Sequence, residues 1–141
     1  MSYSSVPGEG RPLPVPTELS QPHWDGAREG RLMVQRCPTC HAYVFIPRRA
    51  CPHCLTEPLP WVQSSGKGEI YSFTIIHRTP HPAFEPPYCA AIVALDEGWH
   101  MLTNIIGCSS DDISVGQRVE VDFLELGEIT LPVYRLSKDA V

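Results

Sequence analysis

Cys37-Pro38-Thr39-Cys40, ten residues, then Cys51-Pro52-His53-Cys54: this stretch organises the whole 141-residue chain. Each Cys-x-x-Cys unit curls into a knuckle presenting two sulfurs, and two knuckles let four thiolates meet one ion at about 2.3 Å, as in a closed structural zinc site. The intervening residues suffice for a short hairpin, Ala42 to Arg49, that brings the knuckles together. The spacing is tighter than the ~15–20 residues of the common four-cysteine zinc pattern, so iron in a tetrahedral sulfur site is the alternative, and colour separates the two. Four thiolates leave no open position for water, so the expected cofactor is one structural Zn²⁺ per chain, held by Cys37, Cys40, Cys51 and Cys54.

Competing readings of these cysteines are weaker. Cys37, Cys40 and His41 spell the Cys-x-x-Cys-His of covalent haem attachment, but a second knuckle follows at ribbon spacing and no export signal precedes it. His53 lies between two ligands and is read as a solvent-facing knuckle residue. The remaining cysteines, Cys89 and Cys108, lie in or beside apolar strands, where a free cysteine packs as a small hydrophobe. Reduced thiols and a longest apolar run of only Cys89 to Leu95 point to a soluble cytoplasmic protein without a membrane span.

Outward from the knuckles, the chain divides into five expected segments: a flexible tail at 1–16, a helical segment at 17–34, the zinc ribbon at 35–60, a barrel at 61–136 and a short tail at 137–141. The first is rich in proline and glycine and poor in apolar groups. Thr17 is a candidate helix cap, and Gly30 stops a short helix ending near Arg28. Beyond the ribbon the period becomes two. Glu69 to His77 places Tyr71, Phe73 and Ile75 on one face. Cys89 to Leu95 and Trp99 to Ile106 read as strands joined by the turn Asp96-Glu97-Gly98. Arg118 to Leu124 alternates, with Val119, Val121 and Phe123 inward, and Ile129 to Leu136 supplies a fifth strand. Pro132 cannot donate to a ladder and is expected at an edge or bulge. Five short strands without long intervening helices predict a mainly β fold: a short N-terminal helix, a zinc ribbon, and a partly open barrel of the OB type.

Candidate binding residues lie mostly in connections. The proline-rich segment from Thr79 to Tyr88 offers Phe84 and Tyr88 as anchors, and Trp24 of the helix is the third aromatic candidate for a partner interface. Arg48 and Arg49 at the ribbon tip, with Arg78, are the basic candidates for a phosphate-bearing cofactor. His77, His81 and His100 with Glu85 and Asp96 form a conceivable acid–base cluster, but no nucleophile, base and oxyanion donors converge in the sequence, so no catalytic residue is expected.

Several short matches combine into a pattern. Gly30-Arg31-Leu32, Gln35-Arg36-Cys37, Pro47-Arg48, Cys51-Pro52, Ser65-Gly66-Lys67-Gly68, Phe73-Thr74 and Leu95-Asp96-Glu97-Gly98, with Val115-Gly116, Val119 and Leu131-Pro132, resemble the acyl-CoA-associated family that joins an N-terminal helical hairpin, a rubredoxin-like zinc ribbon and an OB-fold. The likeness runs from about Trp24 to Arg135. It implies an accessory subunit in a hetero-oligomer with a thiolase-like enzyme, an acyltransferase or a sterol-carrier-type aldolase, with acyl-CoA at a shared site. This sequence departs from the pattern where glycine often follows a knuckle: His41 follows Cys40 and Leu55 follows Cys54. Those departures bear on local turn geometry.

OB barrels also bind single-stranded nucleic acid, which is the competing function. The formal charge of −5, about −7 once four thiolates hold one Zn²⁺, opposes it, because such binding depends on Lys and Arg neutralising phosphates. Only Lys67 and Lys138 are lysines, and Glu120 and Asp122 face outward on their strand. Neither nucleic acid nor membrane is an expected partner.

Overall fold

A computed structural model describes residues 13–79, 84 and 86–137. Most of the expected tail at 1–16, residues 138–141, His81 and Glu85 lie outside the described residues. The elements in order are helix α1 (Gln21–Arg28) and strands β1 (Met33–Arg36), β2 (Tyr43–Val44), β3 (Trp61–Gln63), β4 (Lys67–Ile76), β5 (Tyr88–Leu95), β6 (His100–Ile105), β7 (Arg118–Leu126) and β8 (Ile129–Leu136), with a 3₁₀ turn at Ser110–Asp112 before β7.

The helix starts later than Thr17 because Thr17 and Ser20 hold a separate turn: the Ser20 N–H donates to Thr17 Oγ1 at 3.1 Å, and the Thr17 N–H donates to Ser20 Oγ at 2.9 Å. Pro22 then sits in the first helical turn, where its missing donor costs nothing. Gly30, at φ 78°, ends the segment.

Strands β2, β1 and β3 form an antiparallel sheet in that order. Gln35 pairs with Val44 on one side and Trp61 on the other, so the ribbon's sheet uses residues on both sides of the knuckles. The remaining strands close a barrel in the order β4-β5-β6-β8-β7. Closure between β6 and β8 rests on one registered parallel pair, Ile105 with Tyr134.

Two expectations about strands are corrected. Tyr71 does not share the face of Phe73 and Ile75: the β4–β5 register shifts between Ile70 and Ser72, and this irregularity changes the parity. Ile70 is buried, Tyr71 is 60% exposed, and Phe73 and Ile75 pack back against the core. Pro132 occupies neither an edge nor a bulge, since its register with β7 runs unbroken through Phe123. The strand on its other side, β6, meets β8 only at Tyr134, so a missing donor at Pro132 breaks no registered pair there.

One buried cluster joins barrel and ribbon. Ile70, Val93, Leu95, Met101, Ile105, Val119 and Tyr134 fill the barrel, and Leu32, Val34 and Trp99 extend the same cluster to the ribbon's root. Between the two units the chain is clipped by Glu97, which accepts from the Ser64 hydroxyl at 3.0 Å and the Ser65 N–H at 2.6 Å. Beside it Asp96 takes a two-pronged contact from Arg118 at 2.8 and 2.7 Å. The glycines of Ser65-Gly66-Lys67-Gly68 are needed here: a Cβ on Gly66 would collide with Val121, and one on Gly68 with the Ala94 carbonyl. Two of the segments that carry the family resemblance, 65–68 and 95–98, thus form a joint between ribbon and barrel.

Candidate metal centre and partner groove

The sulfurs of Cys37, Cys40, Cys51 and Cys54 all lie within 4.8 Å of one another, the one such cluster of metal-binding side chains among the described residues. Contacts cross between knuckles: Cys37 Sγ to Cys54 Sγ is 3.5 Å and Cys40 Sγ to Cys51 Sγ is 3.6 Å. Tetrahedral sulfurs about 2.3 Å from one ion stand roughly 3.8 Å apart, so this donor set fits one zinc. Each knuckle is closed by backbone bonds, His41 N–H to the Cys37 carbonyl at 3.0 Å and Leu55 N–H to the Cys51 carbonyl at 2.9 Å. The residue after each second cysteine must then turn left-handed, and His41 and Leu55 both do so at φ 65°. Absence of glycine leaves the turn intact and places the strain on two side-chain-bearing residues.

The protein's own groups favour thiolates unequally. The backbone N–H of Cys40 lies against Cys37 Sγ and helps push that thiol down to about 6. Cys54 is lowered by the Thr56 hydroxyl, 3.2 Å away. Cys40 gains from the Ala42 N–H, but burial and the sulfurs of Cys51, Cys37 and Cys54 outweigh it and push the thiol up to about 12. Four such groups cannot all ionise side by side without a cation, which is the chemistry a bound Zn²⁺ supplies. Cys89 and Cys108 behave differently. Burial raises both thiols, Cys89 to about 11, so they are packing residues without thiolate character at neutral pH.

The three aromatic candidates come together. Trp24, Phe84 and Tyr88 line one groove of about 570 Å³ between α1, the ribbon hairpin and the outer face of β5 and β6. Among the described residues no charged side chain lines it; Phe45, Ile46, Pro47, Leu102 and Leu131 supply much of the rest. Three of its residues are exposed hydrophobics: Val15 at 85%, Ile46 at 73% and Leu102 at 73%. Sequence reasoning missed these. Val15 falls within the expected tail, whereas Phe45-Ile46-Pro47, an apolar triad at the ribbon tip, carries a signal in the sequence itself. His23 was also missed. It is 5% exposed, with rings of Trp24 and Phe45 at 4.9 and 5.5 Å, and its Nδ1 lies 3.3 Å from the Met33 carbonyl.

The basic candidates separate. Arg48 and Arg49 line a second cleft of about 510 Å³ with Trp61, Pro58 and Leu19, but Glu18 and Glu57 share it and Arg78 does not. Gln35 holds the ribbon tip against β1, donating to the Arg48 carbonyl at 2.8 Å and accepting from the Arg48 N–H at 2.7 Å. Of the imagined acid–base cluster, Asp96 is committed to Arg118 and His100 packs edge-on against Tyr71 at 4.9 Å.

A four-sulfur ribbon fused to a closed five-stranded barrel defines a zinc-ribbon OB-fold protein. Residues 24–59 match the family described as "ChsH2, rubredoxin-like zinc ribbon domain", and residues 61–124 match "ChsH2, C-terminal OB-fold domain". The chain belongs to this DUF35 family of zinc-ribbon OB-fold proteins. It is similar to a DUF35 domain-containing scaffold protein of Pyrococcus furiosus, 34% identical over 109 residues, covering 75% of this chain and 78% of that one. A probable enoyl-CoA hydratase alpha subunit of Thermomonospora curvata is 40% identical over 126 residues, covering 89% of this chain. The chain spans only about two-fifths of that relative's length, 40%. Among solved structures, one titled "Ltp2-ChsH2(DUF35) aldolase" superposes with a TM-score of 0.81 at 38% identity, covering 88% of this chain and 98% of the matched one.

Proposed function

We propose that this chain is a non-catalytic accessory subunit that binds and supports a thiolase-like acyl-CoA enzyme, such as a thiolase, an acyltransferase or a steroid side-chain aldolase. The observation that carries the reading is the groove: a partly exposed apolar surface, uncharged among the described residues, in which Trp24, Phe84 and Tyr88 stand together. Such a surface costs free energy in water and suits a protein partner, since buried aromatics dominate many interfaces. The scaffold name carried by several relatives and the aldolase complex of the matched structure support the class of partner. The zinc site serves this role indirectly. Its knuckles fix the hairpin whose Phe45, Ile46 and Pro47 form one wall of the groove.

Acyl-CoA at a shared site is part of the same proposal, with Arg48 and Arg49 as the groups of this chain that would meet its phosphates. Arg78 lies apart from their cleft and is the less favoured candidate. Tagged chain purified from its native host, followed by identification of what co-purifies, tests the reading. A thiolase-like subunit is the expected partner, and that enzyme is expected to lose stability and activity when this chain is withheld. A partner fully active alone, or turnover of an acyl-CoA by this chain alone, would overturn it.

A further inference from the structure

The most buried polar side chain that faces the groove with free hydrogen-bonding capacity is a histidine. His23 is nine-tenths buried and lines the groove beside Trp24 and Phe45. Its Nδ1 faces the Met33 carbonyl at 3.3 Å, and a carbonyl can only accept, so Nδ1 carries the proton and Nε2 carries a lone pair. Burial lowers the ring's pKa from its ordinary 6.5, which keeps this neutral tautomer at pH 7. Nε2 has no hydrogen-bond partner among the described residues. The sole fully buried, unpartnered side-chain nitrogen or oxygen among them is Trp99 Nε1, so His23 Nε2 keeps some accessible surface, on a side chain that lines the groove.

Three other polar residues on the wall each hold a local bond. Thr103 donates to the Pro132 carbonyl at 3.4 Å, Asn104 to the Cys89 carbonyl at 2.9 Å, and Ser20 accepts from the Thr17 N–H at 2.9 Å. A purely apolar occupant would strand the Nε2 lone pair, at a cost comparable to a lost hydrogen bond. A charged occupant would find no countercharge among the described residues, since no Asp, Glu, Lys or Arg of theirs lines the groove.

We propose that the groove is the docking site of the thiolase-like partner, which enters it with an uncharged apolar segment carrying one hydrogen-bond donor, and that His23 Nε2 is the acceptor that fixes its register. This rests on the accessory-subunit reading above and adds the residue and the chemistry of recognition. His23 is a positioning residue for assembly.

Two substitutions separate the two faces of the ring. Asn carries its amide nitrogen where Nδ1 stands, so His23→Asn keeps a donor for Met33 and removes the groove acceptor. Gln reaches the position of Nε2, so His23→Gln offers an acceptor to the groove and gives up the Met33 bond. Each variant is titrated by calorimetry against the thiolase-like subunit that co-purifies with the wild-type chain, and its Tm is measured separately. The expected result is a tenfold or greater loss of affinity for His23→Asn with Tm nearly kept, and near-wild-type affinity for His23→Gln despite a lower Tm. A purely structural histidine gives the reverse order, and that order, or equal affinities for all three proteins, overturns the proposal while leaving the accessory reading standing. No thiolase-like subunit binding wild type at all overturns both. A dimer of the free chain that His23→Asn dissolves would assign the groove to a second copy. Hydrogen-exchange protection of the groove that vanishes on deleting residues 1–12 would assign it to this chain's own N-terminal segment. Either result also overturns the proposal.

Discussion

The root and the tip of the ribbon are held by different forces. At the root, Leu32 and Val34 belong to the same buried cluster as Ile70, Val93, Val119 and Tyr134 of the barrel. At the tip, Cys37 and Cys51 have only Val44 and Leu59 for apolar company. Tyr43 and Phe45 lean back on the barrel cluster, but around the sulfurs two aliphatic side chains, each worth about 1.5–3 kcal/mol when buried, cannot offset the ordering of two knuckles in which every residue costs about 1–2 kcal/mol. The tip therefore depends on metal and the root does not. The difference teaches that the groove, which has the ribbon hairpin as one wall and the barrel as another, is stable only when both kinds of force operate.

The most drastic way to break this comparison is to remove the metal's ligands. Cys37→Ser with Cys51→Ser should abolish the one zinc per chain, measured by metal analysis, and withdraw folding energy on the order of 10 kcal/mol from the tip. Hydrogen exchange should then show the knuckle amides of His41 and Leu55 open while β4 to β8 stay protected. Ordered, metal-free knuckles would show that the tip does not need the ion.

The reciprocal test strikes the barrel. Tyr134 is fully buried, its hydroxyl 3.6 Å from Met101 Sδ, and it holds the single registered pair that closes β6 to β8. Tyr134→Ala should cost about 3–5 kcal/mol in denaturant unfolding and should expose the barrel and the ribbon root together, because they share one cluster. If the ribbon root kept its full protection, the shared-core account would fail.

A smaller effect probes the surface that both units build. Phe84→Ala or Trp24→Ala should weaken the partner complex by about 2 kcal/mol, read by calorimetry, with circular dichroism checking that the fold persists. Cys108→Ala, at a packing thiol outside the groove lining, should leave affinity near wild type.

Smaller still is the clip between the units. Glu97→Gln should cost about 1 kcal/mol through its bonds to Ser64 and Ser65. Acid should mimic it. Burial opposes the charge on Glu97, but the Ser65 N–H and Ser64 hydroxyl prevail and hold its carboxyl below the ordinary 4.5; Arg118 holds Asp96 below 3.8. Depressed carboxylates contribute stability that is fully present above these ordinary values and lost as pH falls through the lower folded ones. Buried His23, held below its ordinary 6.5, makes stability fall as pH drops below about 6.5, where only the unfolded chain takes the proton, so the Tm profile is expected to slope gently there and steeply below about 4.5, with the lower decline reduced in Glu97→Gln. The least effect of all is expected from nucleic acid: single-stranded DNA or RNA should not bind at physiological salt, and salt-sensitive micromolar binding in an anisotropy titration would reverse the functional reading.

The sequence by itself determined the metal site and the architecture. Ligand spacing is local, so two Cys-x-x-Cys units ten residues apart leave few alternatives, and strand periodicity reads directly as five barrel strands. It also pointed to Trp24, Phe84 and Tyr88 separately. Only the tertiary structure decided that these three share one groove with Val15, Ile46 and Leu102, since that convergence joins positions from residue 15 to residue 132. The same holds for the Tyr71 parity change, which lies in a register shift between two strands and leaves no mark on β4 alone. His23 shows the limit most clearly. Between Pro22 and Trp24 it is one more helical residue, and its significance arises because a carbonyl ten positions away accepts from one ring nitrogen while the side chain lines the groove.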